Sequence, residues 1–117
     1  MQHSQAVDIA GMVAEHAAQL GDYALAKLRE MKARHRLIGD VRGKGLLLGI
    51  ELVRAGQPAT DEAERVMYGA LKRGLNFKVT MGNILTLTPA LTLTQLEMDQ
   101  ALAILDAGIG EVASQPT

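Results

Sequence analysis

Apolar residues recur at steps of three and four from Ile9 to Met31, and from Leu46 to Val53 the step falls to two. The first period belongs to a helix and the second to a strand, so this chain has to pack helices on a sheet. The helical stretch sets Ile9, Met12, Val13, Ala17, Leu20, Ala24, Leu28 and Met31 on one face and Glu15, Gln19, Asp22, Lys27 and Glu30 on the other. Lys32, Arg34, His35 and Arg36 gather at its end, where positive charge suits the unpaired carbonyls.

From Leu37 to Val53 two strands are predicted around a glycine turn, with Asp40-Val-Arg-Gly-Lys-Gly45 as the loop. In the second strand Leu46, Leu48, Ile50 and Leu52 share one face, and Leu47, Gly49, Glu51 and Val53 the other. Both faces can be covered, which makes this strand central. Arg54 to Ala59, with Gly56 and Pro58, reads as a surface loop. Thr60 or Asp61 then caps a helix over Ala63, Val66, Met67, Ala70 and Leu71, which Gly74 stops. Two short strands, Asn76 to Thr80 and Ile84 to Thr88, flank a turn at Met81-Gly82-Asn83, and Pro89 ends the second. Thr94 and Glu97 form a capping box before Met98, Ala101, Leu102, Leu105, Ile109 and Val112. The expected fold is α+β in the order αββαββα, a small, mostly antiparallel sheet packed against helices. It forms one domain over residues 1–113, with 114–117 a frayed tail.

Composition narrows the chemistry. A chain of 117 residues, 48% hydrophobic, is long enough for one core. It has no cysteine, which removes disulfides, thiolate metal sites and thiol nucleophiles together and fits a reducing compartment. The longest apolar run falls far short of the roughly 20 residues a membrane span needs. Residues Met1 to Ala10 carry no basic flank or apolar stretch of a secretory signal, and the chain is read as cytoplasmic.

Gly43, Gly45 and Gly49 do not make a dinucleotide fingerprint, because their spacing is wrong and they lead into a strand instead of a helix start. Seven of the twelve basic residues lie between Lys27 and Lys44, but acidic residues interleave and base-stacking aromatics are lacking. A solvated helix end is the better reading, with no nucleic-acid partner and no membrane. His3, His16 and His35 share no metal-ligand spacing and read as surface groups. Ser4 and Ser114 sit near the chain ends, where no rigid nucleophile can be built. Asp61, Glu62 and Glu64 complement a helix dipole. Taken residue by residue, the sequence holds no catalytic constellation and no metal site.

The segment Lys27 to Val53, with its Arg42-Gly43-Lys44-Gly45 turn, and the segment Gly82 to Thr92, with Thr88-Pro89, resemble the C-terminal small domain of class III aminotransferases. These are pyridoxal-phosphate enzymes of the aspartate-aminotransferase fold type, aminocaprolactam-racemase-like members included. The resemblance runs from Ile9 to Ile109. It implies a larger preceding domain that supplies the cofactor lysine, the aspartate on the pyridine nitrogen and the phosphate loop. None of these precedes Met1, and Lys27, Lys32, Lys44, Lys72 and Lys78 do not match the cofactor-lysine context. The implied chain is a fragment of a longer enzyme, not competent alone and with no cofactor bound by itself. In the parent it helps close the substrate side of the active site. The implied partners are the large domain, a second subunit of a homodimer, and a small amine or amino-acid-derived substrate.

The same resemblance gives roles to six residues. Thr86 stands where many members present an arginine that grips the substrate's α-carboxylate. A threonine cannot make that fork, which implies a substrate lacking a free α-carboxylate at this point, such as an amine, amide or lactam. Taken on its own, Thr86 is an ordinary β-branched strand residue. Arg42, Gly43 and Gly45 are implied to position the domain, and Thr88 and Pro89 to set the strand exit near the active-site mouth. The alternatives are a racemase or decarboxylase on the same scaffold, or a stand-alone binding or oligomerisation module. A domain made to dock on a partner should expose a large apolar patch, which separates it from a free module.

Overall fold

The computed structural model describes residues 2–115, with side chains from residue 8 onward. The side chains of His3 and Ser4, and residues 116 and 117 of the expected tail, lie outside the described residues. The chain runs α1 (Gln2–Arg34), β1 (Ile38–Lys44), β2 (Leu47–Arg54), β3 (Gln57–Pro58), α2 (Thr60–Lys72), β4 (Lys78–Thr80), β5 (Ile84–Leu87) and α3 (Gln95–Ala113). The expected order holds, with the two-residue β3 added.

Every strand pairing is antiparallel, and the main sheet has the order β1-β2-β5-β4, with β3 paired to β2. β2 is central, as its composition predicts. Its residues Leu48, Ile50 and Leu52 are buried, together with Leu46 of the preceding turn, Ile38 and Val41 of β1 and Leu85 and Leu87 of β5. α1 covers this inner face across β1 and β2, α2 covers it across β4, β5 and β2, and α3 packs against both helices. Leu28, Val66, Met98, Leu105 and Ile109 complete the core. The opposite face carries no helix. Leu47 is exposed there and Gly49, Glu51 and Val53 are half-buried, so the expected cover on both faces is not supplied by the described residues.

Three local predictions need correction. Asp40 to Lys44 is not a loop but most of β1, and the turn shrinks to Gly45 and Leu46. Gly45 takes φ of 57°, a conformation that only glycine adopts without strain. The stretch Arg54 to Ala59 is a tight hairpin, because Ala55 and Gly56, with φ of 53° and 77°, turn Gln57 and Pro58 back onto Val53 and Arg54. Neither Thr60 nor Asp61 caps α2. The cap is Ala59, whose methyl group cannot accept a hydrogen bond, and the anchor is Glu62, buried and 2.5 Å from Arg54 Nε.

The helix ends otherwise follow the sequence signals. At the end of α2 the Gly74 N–H donates to Leu71 O at 3.1 Å and the Leu75 N–H to Ala70 O at 2.9 Å, a Schellman closure with Gly74 at φ of 91°. At the start of α3 both halves of the Thr94–Glu97 capping box are formed.

α1 extends about 50 Å at the usual helical rise, and the chain measures 61 × 26 × 23 Å. Its apolar stripe is buried only from Ala17 onward, while Ile9 and Met12 are 62% and 66% exposed. Leu91 and Leu96, 57% and 68% exposed, add further uncovered apolar surface.

Candidate functional site

Antiparallel register places directly opposed residues on the same face. One row therefore crosses the helix-free face as Arg42, Gly49, Thr86 and Lys78, from β1 through β2 and β5 to β4. The next row runs Asp40, Glu51, Ile84 and Thr80. Gly49 has no side chain, and a shallow depression opens over it, lined by Arg42, Leu47, Ile84 and Thr86.

The two halves of this face differ in charge. Arg42 is held between two carboxylates, its Nε 3.3 Å from Asp40 and its Nη2 3.1 Å from Glu51. On the other half, Thr86 Oγ1 and Thr80 Oγ1 are 2.9 Å apart and share one hydrogen bond. Two hydroxyls bound in this way leave one O–H and several lone pairs for a ligand. Lys78 stands beside them, exposed, and is in no ion pair among the described residues.

The sequence candidates separate on this geometry. Arg42 and Thr86 fall in one row. Gly43 is a strand residue whose missing side chain faces inward: a Cβ there would meet Leu48 Cδ2 at 3.0 Å and Leu25 of α1 at 3.6 Å. Gly45 makes the β1–β2 turn against α1. Thr88 and Pro89 follow the last residue of β5, and proline's lack of an N–H ends the ladder there. Lys78 and Thr80 were not singled out by sequence reasoning. Their signal was the turn centre: pairing about Gly82 sets Lys78 opposite Thr86 and Thr80 opposite Ile84.

The helical side carries the perturbed ionisable groups, and each serves packing. His35 is half-buried, contrary to its surface reading, and its Nε2 lies 2.6 Å from Asp106 Oδ1. That bond, with the Arg34 guanidinium, holds the Asp106 carboxyl below its ordinary range. Tyr23 donates to Asp99 at 2.5 Å, which pushes its phenol up, and the Thr94 cap lowers Glu97. His16 Nε2 donates to the Leu93 carbonyl at 2.7 Å. Apart from the Thr94 cap, which is local to α3, these contacts tie α1 and His35 to α3 and the turn before it. Among the described residues no three acidic or imidazole side chains cluster for a metal, and no helix is long and apolar enough to cross a membrane.

A pyridoxal phosphate site needs an amine desolvated enough to form an imine with the cofactor. Lys27, Lys32, Lys44, Lys72 and Lys78 are all exposed, on helices or strands. The residues of this chain alone do not fit that group.

Comparison with known proteins agrees with the architecture. The sequence profile of the family described as aminotransferase class-III matches residues 6–109. The leucine/methionine racemase of Thermococcus litoralis is 40% identical over 101 residues, covering 84% of this chain and 23% of the racemase. The (R)-1-hydroxy-2-aminoethylphosphonate ammonia-lyase of Vibrio splendidus is 43% identical over 89 residues, covering 74% and 19%. A crystal structure of a Bacillus anthracis aminotransferase superposes with a TM-score of 0.80 at 32% identity, covering 90% of this chain and 26% of that one. The chain thus spans about a fifth to a quarter of the length of the relatives it matches. With its profile matched across most of its length, the chain belongs to the class III aminotransferase family, whose members depend on pyridoxal phosphate.

Proposed function

We propose that this chain acts as the C-terminal small domain of a pyridoxal-phosphate enzyme and helps close the substrate side of its active site. The observation that carries this reading is the sheet itself, covered by α1 and α2 on one face, with α3 packed on those helices, and bare on the other, with Thr86 in the middle of the bare face. A large domain laid on that face supplies the cofactor and its lysine, and the assembled enzyme is a homodimer. In that assembly Arg42, braced by Asp40 and Glu51, and the Gly45 turn hold the domain's shape at the contact, while Thr88 and Pro89 carry the chain off β5 at the site's mouth. Ile9, Met12, Leu91 and Leu96 leave a separate apolar surface uncovered at the helical side, which suits a second contact with the rest of the assembly.

Transamination is the first reading, and the similarity to a leucine/methionine racemase favours racemisation as the second. These activities differ in which bond at the cofactor-bound carbon is aligned for cleavage, and the groups that align it belong to the large domain. Thr86 is the substrate-facing residue on this chain. A hydroxyl pair alone suits an uncharged carbonyl, as in an amide or lactam. The substrates named for the two relatives, leucine or methionine and a hydroxyaminoethylphosphonate, each carry an oxyanion, which needs a cation within reach of Thr86.

The test is to join this chain to the Thermococcus litoralis racemase in place of the racemase's own matching segment. The expected result is a cofactor-loaded enzyme that racemises or transaminates leucine. A folded but inactive hybrid, beside a control rebuilt with the native segment that works, would sink the reading.

A further inference from the structure

We propose that Lys78 supplies the cation at the Thr86 site and makes it specific for substrates bearing an oxyanion, such as a carboxylate or phosphonate. The proposal rests on the reading above, that the bare sheet face meets the substrate. Lys78 is the direct cross-strand partner of Thr86 on that face, which brings their Cα atoms to about 4.5–5.5 Å. It is exposed on the short strand β4 and in no ion pair among the described residues.

The other cations of the face are less suited. Arg42 shares Thr86's row, but Gly49 stands between them, and Asp40 and Glu51 already take up its guanidinium. An incoming anion would have to displace those carboxylates and meet their repulsion. Lys44 pairs with Leu47, two strands from Thr86 and one row away. On the β5–β4 side the nearest groups are the hydroxyls of Thr86 and Thr80, 2.9 Å apart. One O–H of that pair is free to donate to an anion that the Lys78 ammonium attracts. Ammonium and hydroxyl together replace the planar fork of an arginine with a point charge and one directional donor. Such a site tolerates anions of different shape, trigonal or tetrahedral.

The hybrid enzyme described above tests this with leucine as substrate and two competitive inhibitors of equal shape, isocaproate and its uncharged amide. In Lys78→Met the KM for leucine and the inhibition constant of isocaproate should rise roughly tenfold, the loss of one charge-assisted contact. The inhibition constant of isocaproamide and kcat should stay as they were, and Lys78→Arg should restore isocaproate binding. Lys72→Met, at the end of α2, removes the same charge from the helical side and should change none of these values. Unchanged isocaproate binding in Lys78→Met, or equal weakening of acid and amide, overturns the role of Lys78 while leaving the domain's function standing. An inactive hybrid overturns both.

Discussion

Gly21 of α1 lies against the carbonyl of Gly45, so closely that a Cβ on Gly21 would stand 1.9 Å from that oxygen. The β1–β2 turn thus rests on the helix backbone itself. Gly21→Ala should cost roughly 3 kcal/mol, the upper end for overpacking, because the obstacle is backbone and cannot rotate away. Gly11→Ala, with nothing within 4 Å of the added carbon, should instead stabilise α1 by about 0.5–1 kcal/mol. Urea unfolding of the two variants separates these signs, and equal midpoints would remove the contact.

Arg54 and Glu62 join the end of β2 to the start of α2, with the Glu62 side chain only 7% exposed. Arg54→Met should cost about 2–3 kcal/mol, since it strands a carboxylate in the core. Adding Glu62→Leu should recover most of that loss, because a buried pair replaced by apolar groups is close to neutral. A double-mutant cycle on unfolding free energy reads the coupling, and additive losses would count against it.

Asp106 gives the fold an acid limit. Its carboxyl is held below the usual range by the hydrogen bond from His35 and by Arg34. Its stabilisation is therefore complete above the unfolded value of about 3.9 and is lost as pH falls through the lower folded value. Asp106→Asn should be less stable than the native chain at neutral pH, with the gap closing as pH drops below 4. Thermal melts across that range check it; a gap constant with pH would assign the contact no charge.

The uncovered apolar end should make the chain associate. Met12→Lys and Leu91→Lys, at exposed positions beside the first turns of α1, should shift sedimentation towards monomer without lowering the melting temperature. Association that persists in both variants would place the sticky surface elsewhere.

The fold was legible wherever period and punctuation agreed. Thr94 with Glu97 and Gly74 after Leu71 fixed helix ends through local hydrogen bonds, and local bonds are written in local sequence. The N-terminus of α2 was misread because its anchor is Glu62 reaching Arg54, a contact between elements that no spacing encodes. The site was legible only in part for the same reason. Thr86 stood out through a resemblance, whereas Lys78 and Thr80 became its neighbours through strand register. The exposed start of α1 was unreadable, since periodicity shows which face is apolar and not whether anything covers it.

In β4 and β5 even-numbered residues point outward, Lys78, Thr80, Ile84 and Thr86, while Val79, Leu85 and Leu87 point to the helices. On the proposed function, recognition and cohesion are interleaved along the same few residues without sharing a side chain. An engineer can randomise those outward positions in a small library, changing what the surface accepts while the hydrophobic interior keeps every atom it had. One hairpin works as an exchangeable keypad on a fixed chassis.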